Sequence, residues 1–482
     1  MPGQPRYPLF KAKVRGPMPS QGRYDHGVKP LLVINAVGLA WRHLGPNTPN
    51  LNRIVERGFG APMDTVLPAV TCSAQATILT GAQPGEHGAV GNGWFDRDYS
   101  RIEFWQQSNA LVAGTKVYEE AKQRDASFTC AKVFWWWNMG AQVDWSITPR
   151  PYYPADGRKI PAVYGWPTDF PIGLESKLGP FPFFDFWGPK SGLPSSRWIA
   201  SAAMETLRSK SPTLTLVYLP HLDYSHQRFG PDAPQSLQAI AELDVLVGEL
   251  LATADECGTE TMVVSEYAIE DVNEPVYLNR ILREAGLLEV RNEPTGERLD
   301  PFASRAFAVA DHQVAHIYVR DDQAKQQAQQ VLAAVSGVDT IEEPNPNLAH
   351  DRAGDLIAVA KQGAWFAYPY WLDDELAPDF ARTVAIFDKP GYDPCELFVD
   401  PKIKLPMARV VRRLAQKKLG MRYLMDVIPL DASLVKGSHG RLPSSPELGP
   451  VFLSTVPGDG STDPIAMTSV KARILHAMGL AD

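Results

Sequence analysis

Residues 68–92 read PAVTCSAQATILTGAQPGEHGAVGN and place a threonine, a cysteine and a serine at positions 71, 72 and 73, where an extended segment turns into a helix. Pro68 biases Leu67 away from helical backbone, Thr71 suits a helix N-cap, residues 72–80 favour helix, and Gly81 is a natural stop. Thr71 is therefore expected at a helix N-terminus, where backbone N–H groups and the helix dipole favour negative charge. A plain cap is the simpler reading of such a threonine. Cys72 suits buried filler as well as a reactive thiol, and no G-x-S-x-G turn surrounds Ser73.

Upstream, LLVINAV (31–37) is a short apolar run closed by Gly38, the pattern of a buried parallel strand. NTPNLNRIVERG follows with Thr48 as N-cap, Pro49 at the first helical position and Gly58 past the last turn. Downstream, TLTLVYL (213–219) predicts a strand. Leu237, Ile240, Leu243, Val247 and Leu250 predict one face of a helix, and TMVVSEY (261–267) predicts another strand. Strands alternating with helices imply an α/β fold with a mostly parallel central sheet sandwiched by helices.

An irregular leader is expected over 1–30, a catalytic domain over 31–440, and an irregular surface tail over 441–482. Within the domain, an aromatic and Pro-rich insertion is expected at about 135–195 and a subdomain at about 270–370. The run FWWWNMG (134–140) opens the insertion. Three successive tryptophans should not all face inward from one regular element, so at least one, Trp136 among them, is expected to meet solvent or ligand. Arg158 and Lys159 in the same insertion are candidate anion contacts.

Forty-seven basic residues against 55 acidic ones give a net charge of −8, which leaves no electrostatic footprint for nucleic acid. A small anionic substrate then calls for local positive charge, most simply a metal. The four cysteines form no C-x-x-C pair, which argues against a zinc knuckle and a disulfide framework. With no apolar run of signal-peptide or membrane-span length, a cytoplasmic location is expected.

Taken together, LLVINAVGL, TPNLNRIVERG and residues 68–92 resemble the type I phosphodiesterase/nucleotide pyrophosphatase family of the alkaline phosphatase superfamily. The matching landmarks are Pro68, Thr71, Thr80-Gly81, Pro84, His87-Gly88 and Asn92. The resemblance implies an alkaline-phosphatase-like fold and gives Thr71 the role of a metal-assisted nucleophile toward phosphorus. It also implies metal ligation by Asp223 and His226 in VYLPHLDYSHQRFGPD, by Glu266 in VVSEYAI and by His439 in KGSHGR. The family usually spaces the first two ligands one residue further apart, and His221 is an alternative.

Departures from the family pattern are equally legible. Val37 stands where the family has a ligating Asp, Ala74 where it has a phosphate-contacting Asn, and Tyr267 where it has a ligating His. Asn35, two residues before Val37, is expected on the same side of the strand, and Gln75 adjoins Ala74. Asp311, His312 and His316 cluster in VADHQVAH, and a site could be rebuilt from Glu266 with Asp311 or His312; a polar loop with a core histidine is the competing reading.

The implied activity is metal-dependent hydrolysis of a small-molecule phosphodiester, pyrophosphate or related ester through a phosphothreonine, with one or two zinc or manganese ions. The implied substrate contacts are Asn35, Gln75, Asn92, Trp136, Arg158 and Lys159. A non-catalytic member that binds a phosphorylated or apolar ligand is the alternative. Phosphomutase chemistry on the same fold stays open, whereas a sulfatase would require a C/S-x-P-x-R motif that CSAQA lacks.

Overall fold

The apolar run at 31–36 forms the middle strand of a nine-stranded sheet in the computed structural model, which describes residues 27–155, 159–421, 423–458 and 463–481. Five adjacent strands run parallel: Glu260–Val264, Leu31–Ala36, Leu214–Leu219, Cys130–Val133 and Trp145–Pro149. Leu31 and Val33 join one buried cluster, which includes the helix Thr71–Thr80. Leu32 and Ile34 join a second, under the helices Leu193–Lys210 and Pro234–Glu256. Burial on both faces explains the unbroken apolar character of these strands.

Several expectations need correction. The helix begins at Thr71 itself with Val70 as N-cap, because the Thr71 hydroxyl bonds to a distant tyrosine instead of the backbone; Gly81 ends it in the left-handed region at φ 73°. Leu237 lies on the exposed side of its helix. Segment 135–195 is more than an insertion, since Trp145–Pro149 and Val163–Trp166 are outer strands of the main sheet, followed by the helix Asp169–Leu178. Likewise 441–482 is no surface tail. Val451–Ser454 inserts antiparallel between Phe59–Asp64 and Glu260–Val264, and Val470–Ala477 packs as a helix against Thr71–Thr80.

Residues 306–360 carry a separate four-stranded antiparallel sheet of Ala306–Asp311, Val314–Val319, Leu356–Ala360 and Val338–Glu342. The turn between its first two strands, with His312 at φ 62°, reaches the C-terminal edge of the main sheet. The expected leader falls almost wholly on residues 1–26, outside the described residues.

All three tryptophans of FWWWNMG are buried from solvent, and Trp136 alone of the three lines the pocket beside Thr71. Phe134 and Trp137 have positive φ, so the run follows neither strand nor helix periodicity. It curls around Lys132, whose ammonium donates to the carbonyls of Trp136 (3.0 Å) and Trp137 (2.7 Å) beneath the Tyr118 ring. Burial pulls Lys132 down to about 7. Below pH 7 both folded and unfolded chains carry this proton and the full cost of burying the charge is present; as pH rises toward 10 the folded lysine is already neutral and the cost is relieved. Relative to Lys132→Met, the wild type is therefore expected to gain about 2 kcal/mol between pH 7 and pH 9. Urea titrations at the two pH values that show parallel profiles would contradict this.

Candidate active site

The C-terminal ends of the parallel strands gather the polar residues, the usual ligand position in such sheets. Asn35 lies next to last in the central strand, beside Tyr218, and Glu266 and Tyr267 follow within three residues of the end of Glu260–Val264. Opposite them the helix Thr71–Thr80 presents its first residue. His439 and the Asp311–His312 turn arrive from later in the chain.

Thr71 lines a pocket whose walls are largely aromatic, with Trp105, Trp136, Trp187, Phe387 and Tyr392 among them. Cys72 and Ser73 are fully buried and do not line it. The Thr71 hydroxyl is 3.3 Å from the Tyr267 phenol, and that phenol donates to Asp223 Oδ1 at 3.2 Å. Because the phenol's hydrogen is committed to the carboxylate, Thr71 is the donor in the first contact. Gln227 Nε2 donates to Asp223 Oδ2 at 2.7 Å, while Gln227 Oε1 accepts from Tyr392.

Three buried carboxyls here are bonded by neutral groups. Asp223 has Tyr267 and Gln227; Glu266 Oε1 takes amide hydrogens from Asn35 (2.6 Å) and Gln75 (2.5 Å); Asp311 takes the Asn92 backbone N–H (2.7 Å) and side-chain amide (3.1 Å). Burial pushes Asp223 and Asp311 up to about 7 and Glu266 up to about 8, with these hydrogen bonds pulling the other way. Burial raises the Tyr267 phenol as well.

His439 Nδ1 donates to the Ala69 carbonyl at 2.8 Å, which leaves a bare lone pair on Nε2, 3.7 Å from Asp223 Oδ1 and without a hydrogen-bond partner. Its ring lies between Tyr267, stacked at 3.5 Å, and His312 at 3.6 Å. A backbone carbonyl fixing the tautomer and an orphaned nitrogen facing a carboxylate are features of a metal-ligating histidine. Asp223 and His439, two of the ligands the resemblance implies, thus lie side by side, with Gln227 as the adjoining neutral group.

The family's second set of ligands is incomplete here. Val37 lies beyond the strand's last residue and joins the buried cluster of Leu219 and Leu222, whereas Asn35 shares Glu266 with Gln75 of the helix Thr71–Thr80, correcting the expectation of a shared side. Tyr267 gives its hydrogen to Asp223, and Glu266 Oε1 is held by two amides, which leaves Oε2 as its one unpaired oxygen. Nor is the second site rebuilt from VADHQVAH. Asp311 is engaged by Asn92; His312, 3.9 Å from it, stacks on Tyr392 and His439; His316 bonds the Val90 carbonyl and the Gly354 N–H. Among the described residues no group of three or more His, Cys, Asp or Glu side chains is placed to hold a metal.

His226 is not part of the cluster. Its ring meets His43 edge-on at 5.4 Å, because residue 226 points off the helix His221–Phe229 away from Asp223, whereas residue 227, one full turn on, points at it. His221 is tied to the Ala239 carbonyl. Of the expected substrate contacts, Trp136 and Lys159 line the pocket, whereas Asn35, Gln75 and Asn92 hold carboxyls, with Asn92 Oδ1 also accepting the Cys72 N–H. Arg158 lies outside the described residues. Gln227, Tyr218 and Tyr392 were not singled out from sequence. Only Gln227 left a signal, as the residue at the family's usual spacing from Asp223.

The architecture is the α/β fold of the alkaline phosphatase superfamily. Murine ectonucleotide pyrophosphatase/phosphodiesterase 5, in an inactive threonine-to-alanine form with AMP, superposes with a TM-score of 0.57 at 16% identity, covering 94% of this chain and 96% of that one. Phosphonoacetate hydrolase from Sinorhizobium meliloti, bound to phosphonoformate, gives a TM-score of 0.59 at 15% identity, covering 95% and 98%. The sequence profile of the type I phosphodiesterase/nucleotide pyrophosphatase family matches residues 31–393, and the chain belongs to that family of hydrolases. An uncharacterized pyrophosphatase/phosphodiesterase of Schizosaccharomyces pombe is 26% identical over 205 residues, which span 42% of this chain and 36% of the relative.

Proposed function

We propose that the protein hydrolyses a phosphate ester at Thr71, through a phosphothreonine, with the organic group of the ester held in the aromatic pocket. The observation that carries this is the hydrogen-bonded chain from the Thr71 hydroxyl through Tyr267 to Asp223, set at a helix N-terminus. As the Thr71 oxygen bonds to phosphorus, the leaving oxygen departs and takes up the proton that Thr71 gives up, while Asp223 stays ionised and orients the Tyr267 phenol beside Thr71. Water then cleaves the phosphothreonine and restores the hydroxyl.

A single zinc or manganese ion held by Asp223 and His439 would supply positive charge against the phosphoryl oxygens. Glu266, kept neutral near pH 7 by burial, does not repel the incoming anion. Lys159, whose charged form burial disfavours, offers the pocket a cation. The inactive threonine variant of the murine neighbour and its bound AMP support the same reading of Thr71 and of a flat organic group. The four cysteines are free thiols, which suits the cytoplasm.

Rapid quenching during turnover of a nitrophenyl phosphodiester, followed by peptide mass mapping, should find one phosphoryl group on the peptide containing Thr71. Phosphorylation elsewhere, or burst-free turnover without a modified peptide, would refute the mechanism. The pocket walls make a second expectation. Phe387→Ala should raise KM for a naphthyl ester by roughly 10-fold, from the lost apolar contact, and leave KM for a methyl ester nearly unchanged. Equal effects on both esters would place the organic group elsewhere.

The neutral partners of all three carboxyls favour a second reading, in which the site binds a phosphorylated or apolar ligand without turning it over. That reading is sustained if the purified protein binds such a ligand and never forms phosphothreonine.

A further inference from the structure

The helix Pro406–Lys418 (PMARVVRRLAQKK) lies on the surface with two different faces. Its inner face is held by Asp426, which receives both Nε and a terminal nitrogen of Arg413 at 2.9 Å, and by Val410 packed beside the buried Val427 and Ile428 cluster. Its outer face has no cover. Met407, Val411 and Leu414, spaced one helical turn apart, are 72%, 61% and 48% exposed, and Leu405 and Leu419 extend the apolar strip at either end, at 71% and 76%. So large a contiguous apolar strip, held rigidly outward, is unusual on a water-facing helix.

Cations flank this strip. Residues 402–418 contain Lys402, Lys404, Arg409, Arg412, Arg413, Lys417 and Lys418 and no acidic residue, in a chain of net charge −8. Among the described residues, no acidic side chain pairs with Lys402, Lys404, Arg412, Lys417 or Lys418. Beside the helix, Arg382, Lys402, Lys404, Arg409 and Arg412 line a shallow cleft whose acids, Asp400 and Asp426, are already engaged by arginines.

We infer that this helix is a docking element for an anionic lipid surface, with Met407, Val411 and Leu414 entering the acyl boundary and the flanking Lys and Arg side chains meeting lipid phosphates. A convex apolar strip edged by cations matches an interface that is apolar below and anionic above, and long basic side chains can keep their charges in the headgroup layer while their stems follow the apolar surface. Charge complementarity selects this occupant. A second copy would set the same cations against one another. The chain's own residues 1–26 carry Arg6, Lys11, Lys13, Arg15 and Arg23 against Asp25 alone, so they are repelled too.

No helix among the described residues is long and apolar enough to cross a membrane. The cleft beside this face is close along the chain to the aromatic pocket. Arg382 lines the cationic cleft, and Val384, Ile386 and Phe387, a few residues on, line the aromatic pocket, so a docked protein holds its pocket wall close to the lipid.

The inference stands apart from the proposed hydrolysis, and its test reads binding alone. The full chain is sedimented with vesicles of phosphatidylcholine and with vesicles containing phosphatidylglycerol, at low and high salt. The expected result is pelleting with the anionic vesicles only, weakened by salt, and reduced at least 10-fold in Val411→Glu/Leu414→Glu and in Arg412→Glu/Lys418→Glu. These four residues are exposed and outside the pocket, so unchanged circular dichroism and metal content should accompany the loss. Three results would overturn the inference: no pelleting of the wild type, equal pelleting of the wild type and Val411→Glu/Leu414→Glu, or a vesicle-independent dimer abolished by that pair. Capture on polyglutamate that is indifferent to Val411 and Leu414, with no vesicle binding, would assign the face to an acidic protein instead.

Discussion

Thr71→Ala is expected to lower the turnover of a phosphate diester by roughly 10,000-fold or more, the scale of losing a nucleophile that no neighbour can replace. No substitute is at hand. Cys72 is enclosed and its thiol is pushed well up by burial and by the nearby Asp311 and Glu266, while Ser73 is fully buried outside the pocket. The fold should survive, because the side chain that is lost caps nothing in its helix and its hydroxyl bonds only within the polar site, as in the 3.3 Å contact to Tyr267. Metal content should also survive, since Asp223 and His439 are untouched. Steady-state kinetics with a nitrophenyl diester checks the first point, and elemental analysis with circular dichroism checks the others. A silent Thr71→Ala beside an inactive Cys72→Ala or Ser73→Ala would move the chemistry to another residue.

What the sequence made legible was whatever repeats with a physical period or sits next to its partner in the chain. The strand at 31–36, the helix start near Thr71 and its stop at Gly81 all follow from local pattern and backbone chemistry. The two outer strands within 135–195 did not show, because Pro and aromatic residues obscure alternation in strands only four or five residues long. Val451–Ser454 was hidden in a Pro, Ser and Gly background, and its place comes from pairing with segments nearly 200 and 400 residues away. At the site, Thr71 and Asp223 were legible as residues, but their connection through Tyr267 was not. Tyr267 read only as a lost ligand. Gln227 escaped because a histidine stood one position before it, and a one-residue offset on a helix turns a side chain by about 100°.

Metal content is where this chain should depart furthest from a two-ion relative. The expected stoichiometry is one divalent ion per chain, and His439→Ala should weaken it beyond the roughly 10–100-fold typical of losing a supporting group, because the residue supplies one of only two strong donors. Asp223→Ala should do the same. Tyr267→His offers a sharper test. It restores an imidazole at a ligand position of the family, yet the stoichiometry should stay at one, because Glu266 Oε1 remains held by Asn35 and Gln75 and Val37 still provides no donor. The same substitution removes the phenol between Thr71 and Asp223, so turnover should fall even with the ion in place. Elemental analysis after dialysis against zinc, paired with diester kinetics, reads both effects. Two ions in the wild type would show that the amide-held Glu266 yields to metal after all. An ion retained by His439→Ala would place it away from Asp223, and no ion in any form would leave the binding reading as the one the geometry supports.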